Sequence, residues 1–359
     1  MKILLISKVP PHLDQLRPES LDFPKGQTQT YWLHALRALG HQVKVFRYSD
    51  SLLFPNRARI KLSVYIQQKF PRIWNKYRQA LNKFFFFNPE NYLRSQKLYR
   101  MIRDFKPHVL IFSGGISELL AWPLELAKAK GIPQVLLHGE DPLESATYFE
   151  RRHLHLFDWI ITNDAIHQSH WQTLGAKRVT ALPYAGIDPQ IHHRLHIKQS
   201  LDVVFVGTLF PDRQRILKKL TNLNFSLAIY GQILPHIGLD PKLRPIYQGE
   251  AWGKQAVRIY QSSKIVLNFV PPHMKVGGNL RTFEIPGSHA FQLANRCPTA
   301  YFVPDQEIAL FSNLQDLKTK INYYLHHPQK REAIINASYR KAHRHYTYKH
   351  RFAYILKHL

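Results

Sequence analysis

The sequence predicts an α/β protein with two doubly wound domains, each built on a mostly parallel β-sheet. Two series of short apolar runs, separated by amphipathic stretches, lie before and after the turn-rich residues 183–200. Continuous apolar runs are typical of strands that are buried on both faces, and the intervening helical stripes are typical of βαβ units. The length of 359 residues also suits two domains better than one hydrophobic core.

The first series predicts an N-terminal domain within residues 1–185. The predicted strands are Ile3–Ser7, Val43–Arg47, Val109–Phe112, Val135–His138 and Trp159–Thr162. The predicted helices are Thr28–Leu39, which Gly40 is suited to end, and Glu118–Lys130.

The second series repeats this architecture without repeating the sequence. Its predicted strands are Val203–Val206, Ser226–Tyr230, Ile265–Phe269 and Thr299–Val303. Its predicted helices are Arg213–Leu220, Lys254–Ser262 and Asp316–His326. We therefore expect a C-terminal domain over residues 200–335 and a helical terminus over residues 336–359.

The charge of the chain predicts an anionic partner. Lys and Arg total 50 against 24 Asp and Glu, which gives a formal net charge of +26. Such a charge favours phosphates, nucleic acids or acidic membrane surfaces. A nucleic-acid binder is the least expected of these, because the sequence carries neither a groove-reading element nor a basic, aromatic sheet motif.

The expected location is the cytoplasm. The opening MKILLISKVPPH is interpreted as a first β-strand, since charge and proline follow its short apolar stretch. No apolar run reaches the roughly 18–20 residues of a membrane span. The single Cys297 excludes a disulfide framework and a cysteine zinc cluster. The histidine clusters His192-His193, His326-His327 and His343/His345 have no carboxylate or cysteine beside them, so no metal is assigned.

Residues 57–106 are expected to form a basic helical insertion. Thirteen Lys and Arg residues stand there against Glu90 and Asp104, with aromatic residues interleaved and a run of four phenylalanines at 84–87. Two interpretations stay open. In the first, residues 57–87 bind an anionic bilayer at the inner face of the membrane. In the second, the apolar side of a helical pair packs on the domain.

The stretch from Lys264 to Gly287 predicts a phosphate-binding turn between a strand and a helix. Glycines at such a turn let backbone N–H groups approach a phosphate, and the helix N-terminus favours negative charge. Lys275 and Arg281 can add charge-assisted hydrogen bonds to a diphosphate, and Glu284 is suited to accept from ribose hydroxyls. The candidate donor-binding residues of this stretch are Asn268, Lys275, Gly277, Gly278, Asn279, Arg281 and Glu284.

A second candidate turn follows the predicted strand Val203–Val206. Gly207 permits close approach of a ligand, and Arg213, early in the next helix, can reach an anion. The carboxyl ends of strands line the crevice of a doubly wound sheet, which favours a site here. The alternative is an ordinary βα turn with a solvated arginine.

The N-terminal domain is expected to supply a base. The sequence His138-Gly-Glu-Asp141 follows a predicted strand and so faces the crevice. His138 and Asp141 are the candidates to orient or deprotonate an acceptor hydroxyl, with Glu140 as a third choice. A hydrogen-bonded structural histidine is the alternative for His138.

The C-terminal half resembles a known family of enzymes. The resemblance rests on Phe205–Arg213, Ile265–Asn268, Asn279–Glu284, Glu307-Ile308, Tyr324–Pro328 with Arg331, and His345–Arg351. In this order they are similar to spore-maturation-like (CgeB-like) glycosyltransferases, part of the wider GT-B group with the family 4-like enzymes. Residues 180–359 carry the resemblance well, and the N-terminal half matches only in pattern, at Lys25–Thr28 and Leu36–Val43.

The resemblance implies a GT-B fold, in which two Rossmann-like doubly wound domains face a central cleft. The C-terminal domain would hold a nucleotide-sugar donor, with Glu284 on the ribose and the 277–279 loop and Arg213 on the diphosphate. The N-terminal domain would hold the acceptor, and the terminal helices would cross back onto it. Val276 stands where family 4-like enzymes often carry an acidic residue. The resemblance therefore does not predict whether the anomeric configuration of the sugar is retained or inverted.

The expected activity is metal-independent sugar transfer of the hexosyltransferase type, with no cofactor and with a nucleotide-diphosphate sugar as donor. The acceptor is a glycan, a lipid or a protein. No Asp-x-Asp motif is present, and the excess of Lys and Arg suits charge stabilisation by fixed cations and N–H dipoles. The alternative is a noncatalytic protein that binds an anionic polymer or a membrane surface, with a steep salt dependence as its signature.

Overall fold

The computed structural model describes residues 1–7, 27–48, 69, 89–183, 185–234, 237–272, 274, 277–298 and 301–359. Lys275, Val276 and most of the segment 57–88 lie outside these residues. The described residues form two parallel β-sheets with helices on both faces of each. The predicted fold class is therefore confirmed.

The N-terminal sheet has six parallel strands in the order β2-β1-β3-β4-β5-β6. The strands are β1 (Lys2–Ser7), β2 (Gln42–Arg47), β3 (Val109–Ser113), β4 (Gln134–Leu137), β5 (Trp159–Thr162) and β6 (Val179–Ala181). Every strand predicted in this half is present. The short β6 at the sheet edge was not predicted, because three residues give no readable periodicity.

Helices cover both faces of this sheet. They are α1 (Gln27–Ala38), α2 (Pro89–Phe105), α3 (Trp122–Ala129), α4 (Pro142–Ser145), α5 (Tyr148–Arg152) and α6 (Ala165–Thr173), with a 3-10 turn at Leu154–Leu156. The predicted start of the second helix at Glu118 is wrong. The helix begins at Trp122, since Pro123 is tolerated only in the first turn.

The C-terminal sheet has five parallel strands in the order β11-β10-β9-β7-β8. The strands are β7 (Leu201–Val206), β8 (Leu227–Tyr230), β9 (Ser263–Asn268), β10 (Gln292–Ala294) and β11 (Ala309–Leu310). The helices are α7 (Pro211–Lys218), α8 (Gly253–Gln261), α9 (Leu280–Gly287), α10 (Leu314–His326), α11 (Pro328–His345) and α12 (Tyr348–Lys357), with a 3-10 turn at Pro241–Ile246.

The strand predicted at Thr299–Val303 is wrong. The described residues Tyr301–Val303 lie in a turn, in which the N–H of Tyr301 donates to the carbonyl of Pro298. Phe302 is nevertheless fully buried, because its ring packs on Phe283 and Tyr346. The sequence pattern alone does not distinguish a buried strand from a short apolar run whose side chains pack in an aromatic cluster.

The basic segment is described only in its second part, which forms α2. The buried guanidinium of Arg94 donates to Glu90 at 2.6 Å and to Asn91 at 2.9 Å. Leu98 and Ile102 belong to the N-terminal core, so α2 packs on the sheet. Apart from Lys69, the expected membrane-binding residues 57–87 lie outside the described residues. Among the helices of the described residues, none has the length and apolar composition to cross a bilayer.

The last helix returns to the N-terminal domain. The N–H of Ile187, in the linker between the domains, donates to the carbonyl of Tyr346 at 2.9 Å, and the N–H of Tyr348 donates to Ile187 at 3.0 Å. Helix α12 then packs on α1, with the rings of Trp32 and Phe352 6.0 Å apart. The two chain segments that join the domains therefore lie side by side.

Candidate active site

A cavity lies between the carboxyl ends of the two sheets. Its volume is about 580 Å³, which is within the range of small-molecule sites. The N-terminal wall includes Trp32, Gly114, His138 and Glu140, and the C-terminal wall includes Gly207, Arg213, Asn279 and Arg281. The two candidate turns and the candidate base thus meet at one cavity.

The first turn of α9 forms part of the C-terminal wall. Asn279 caps the helix, since its Oδ1 accepts from the N–H of Thr282 at 3.0 Å. The amides of Asn268 and Asn279 also bind each other, at 2.8 Å and 3.1 Å. Asn268 is buried at the end of β9 and does not line the cavity. The contact with Asn268 holds the side chain of Asn279, and Asn279 lines the cavity.

Arg281 and Glu284 form a buried ion pair behind this wall. Arg281 lines the cavity, donates through Nε to the carbonyl of Val206 at 3.1 Å, and donates to Glu284 through a second nitrogen. Burial opposes the charge of Arg281, but Tyr260 and Glu284 raise its pKa overall. Glu284 is 2% exposed. Its Oε1 has no hydrogen-bond partner among the described residues, and His192 Nε2 lies 3.8 Å from it.

Arg213 supplies the second cation of the wall. Its two terminal nitrogens donate to the carbonyls of Thr208, at 2.9 Å, and Phe269, at 2.8 Å. These contacts fix the guanidinium beside Gly207, where a β-carbon would lie 3.6 Å from Arg213 Nη1. Burial, with the charge of Arg281 nearby, lowers the pKa of Arg213. The arginine is held at the cavity rather than solvated on an outer helix face.

Gly277 joins the two domains. Its N–H donates to Asp164 Oδ2 at 2.7 Å, and a β-carbon at this position would overlap the carbonyl oxygen of Asn163. Both partners belong to the N-terminal domain, so the glycine is required by a contact across the cleft. At Gly278 a β-carbon would lie against the side chain of Thr282. Lys275 lies outside the described residues and stays a prediction.

Replacing Gly277 with alanine is expected to lower the free energy of unfolding by about 1–3 kcal/mol, because the new methyl group must push two backbones apart. The affinity for a nucleotide that spans the cleft falls with it. Urea denaturation and thermal unfolding measure the first effect, and a nucleotide titration measures the second. Unchanged stability would contradict the close approach of Gly277 to Asn163.

His138 is held in place on the N-terminal wall. Its Nδ1 lies 3.2 Å from the carbonyl oxygen of Glu140, and its ring meets Trp171 edge to face at 5.1 Å. A β-carbon at Gly114 would overlap the imidazole, so this glycine makes room for it. His138 is only 4% exposed yet lines the cavity.

Asp141 lies beside the cavity and does not line it. Its carboxylate accepts from the N–H of Leu143 at 2.9 Å, which caps α4, and contacts His170 Nδ1 at 2.9 Å. Burial alone would raise the pKa of Asp141, but these two partners lower it. The structure therefore places His138 and Glu140 at the cavity, and a catalytic role for Asp141 stays a prediction.

Glu150 is a site residue that sequence reasoning missed. Its fully buried carboxylate accepts from the N–H groups of Gly115, at 2.7 Å, and Ile116, at 3.2 Å, and so holds the loop after β3. It also accepts from the N–H of Thr147 at 2.8 Å and lies 3.8 Å from His138 Nε2. The Thr-x-x-Glu spacing of Thr147 and Glu150 is a capping-box signal that was available in the sequence.

Comparison with known proteins finds similarity in sequence first. Residues 213–357 match the family described as glycosyl transferase-like. The spore protein CgeB of Bacillus subtilis (strain 168) is 26% identical over 261 residues, which cover 67% of this chain and 79% of that protein.

Two solved structures show the same fold. A glycosyltransferase from Rickettsia africae ESF-5 has a TM-score of 0.61 and 10% identity, over 99% of this chain and 97% of that chain. A variant of S. aureus TarM in complex with fondaparinux, alpha-GlcNAc-glycerol and UDP has a TM-score of 0.51 and 12% identity, over 72% of this chain and 57% of that chain.

The family match and the fold likeness cover different lengths of the chain. The family match begins at Arg213 and includes α9, which form the C-terminal wall of the cavity. The fold likeness extends over both domains. The chain is thereby similar to the glycosyl transferase-like family over residues 213–357 and to the spore protein CgeB, and it shares the two-domain fold of solved glycosyltransferases.

Proposed function

We propose that the protein transfers a sugar from a nucleoside-diphosphate sugar to an acceptor hydroxyl on a glycan, a lipid or a protein, without a catalytic divalent metal. The observation that carries this proposal is the pair of guanidinium groups, Arg213 and Arg281, on the C-terminal wall of a cavity whose opposite wall holds His138.

The C-terminal wall suits the leaving diphosphate. Departure of the diphosphate concentrates negative charge, and the two arginines are already fixed by carbonyl contacts before any ligand arrives. The first turn of α9 adds N–H groups without helical partners, at Leu280 and Arg281. A single preorganised donor of this kind contributes about 2.7–4 kcal/mol to a transition state. Such a wall can carry the charge that Mg²⁺ carries in other transferases.

The N-terminal wall suits the acceptor. With Nδ1 near the carbonyl of Glu140, the imidazole of His138 is held in one orientation. A hydroxyl bound beside Trp32 and Ser113 lies on the same wall as this ring. We assign His138 the role of orienting or deprotonating that hydroxyl, with Glu140 as the neighbouring acid.

A thermal-shift panel with UDP, GDP, ADP, CDP and the matching nucleotide sugars tests the donor. We expect at least one diphosphate to raise the Tm equally in EDTA and in Mg²⁺, and the matching nucleotide sugar to be slowly hydrolysed in EDTA. If no nucleotide shifts the Tm, the donor assignment is wrong. If binding or hydrolysis needs Mg²⁺, the metal-independent mechanism is wrong.

Arg213→Ala is expected to weaken a nucleoside diphosphate at least tenfold and the bare nucleoside little, because the lost guanidinium faces the phosphates rather than the base. Isothermal titration with both ligands measures the difference. Arg215→Ala is the matched control, since Arg215 lies exposed on the same helix. An equal loss of affinity for the diphosphate and for the nucleoside would mean that Arg213 does not contact the phosphates.

A further inference from the structure

We propose that Glu125, His153 and His155 form a binding site for a divalent transition metal, with Zn²⁺ as the expected ion. Their ligand atoms all lie within 4.8 Å of one another. Glu125 belongs to α3. His153 is the C-cap residue that follows α5, and His155 lies in the 3-10 turn after it. None of the three lines the cavity between the domains. The site is therefore separate from the one proposed for sugar transfer.

The ligand set favours zinc over the hard cations. Two imidazoles and one carboxylate are typical ligands of Zn²⁺ and of its neighbours in the first transition row, whereas Mg²⁺ and Ca²⁺ prefer oxygen alone. Tetrahedral bonds of about 2.0–2.2 Å place ligand atoms roughly 3.4 Å apart. Glu125 and His155 are exposed, so rotation of their side chains can close the remaining gap. Three protein ligands leave the fourth position to water.

The half-buried His153 supplies the fixed part of the site. Its ring packs on Phe149 at 4.9 Å, and its Nδ1 is buried with no hydrogen-bond partner among the described residues. A buried nitrogen without a partner is destabilising, and an ion bound to Nδ1 would offset that cost. Burial and the neighbouring His155 and Arg152 lower the pKa of His153, while Glu125 opposes them.

The scaffold around the three ligands is already held together. Lys128, one turn after Glu125 on α3, donates to Asp158 at 2.7 Å, just beyond the 3-10 turn. The bound ion would add a link between α3 and the end of α5. Since Glu150 on α5 holds the loop after β3, the ion would stabilise the N-terminal wall of the cavity from outside. It would take no part in the chemistry there.

Titration of the untagged, chelator-treated full chain tests the site. We expect one Zn²⁺ per chain with a Kd below about 10 μM, a rise in Tm with Zn²⁺ and none with Mg²⁺, and visible absorption bands when Co²⁺ replaces Zn²⁺. His155→Ala and Glu125→Gln should each weaken Zn²⁺ at least tenfold. His326→Ala, which alters an exposed histidine elsewhere, should leave the Kd unchanged.

Three outcomes would overturn the site. They are no saturable binding of Zn²⁺, unchanged binding in the double variant His155→Ala/Glu125→Gln, and loss of binding in His326→Ala. The last two would assign the ion to other histidines of the chain. Both ligand variants replace exposed side chains, so loss of the fold is not expected to obscure the result. Sugar-nucleotide hydrolysis should persist in these variants, which separates this proposal from the proposed function.

Discussion

Replacing Glu284 with alanine is expected to have the largest effect on the protein, because it breaks a buried ion pair and removes the proposed ribose contact together. Arg281 would keep its charge at the cavity wall without a carboxylate beside it. Loss of one partner of a buried pair costs about 3–5 kcal/mol of stability. Chemical denaturation should show this loss, and Glu332→Ala, which changes an exposed carboxylate, should show almost none.

The ligand response of the same variant tests the ribose contact independently of stability. In the wild-type protein, the 2′-deoxy form of the stabilising nucleoside diphosphate should bind more weakly than the ribose form. In Glu284→Ala this difference should disappear, with the Tm in each ligand compared with the variant's own ligand-free Tm. A variant that still discriminates the two sugars would contradict the ribose assignment. A variant as stable as the wild type would contradict the buried pair.

Replacing Glu150 with alanine is expected to have the next largest effect. The change leaves the N–H groups of Gly115 and Ile116 without their carboxylate acceptor. Each buried donor that loses its partner costs about 1–3 kcal/mol, so a fall of several kcal/mol in the free energy of unfolding is expected. Glu144→Gln, on the neighbouring exposed face of α4, is the control and should be close to wild type.

The conservative variant Glu150→Gln separates structure from function. Glutamine keeps the shape and one acceptor oxygen, so the loop after β3 should stay folded. It removes the negative charge 3.8 Å from His138 Nε2. Turnover should therefore fall in Glu150→Gln while the free energy of unfolding stays close to that of the wild type. Unchanged turnover would mean that Glu150 supports the wall without acting on His138.

The local signals of the site were readable from the sequence. The strand before Asn268, the helix that opens at Asn279 and the place of Glu284 within it follow from an apolar run, an N-cap residue and helical spacing. Such features depend on residues within one or two turns of each other. The same holds for the order of strands and helices that predicted two doubly wound sheets.

The contacts that join distant parts of the chain were not readable. Gly277 contacts Asn163 and Asp164. Gly277 and Asp164 are 113 residues apart in the sequence, and no local sequence pattern predicts such a contact. Asp141 was expected at the cavity, but its partner His170 lies on another helix. The cluster of Glu125, His153 and His155 escaped notice for the same reason, since only the packing of α3 against the 3-10 turn brings it together.

The two chain segments that join the domains, at Ile187 and at Tyr346–Tyr348, have a consequence for folding during synthesis. Phe352 and Ile355 of α12 complete the hydrophobic core that α1 shares with the N-terminal sheet. On the ribosome, that first core stays open while the whole second domain is synthesised, although domains generally fold as they emerge. Completion of the N-terminal core thus depends on a helix that is synthesised only after the second domain.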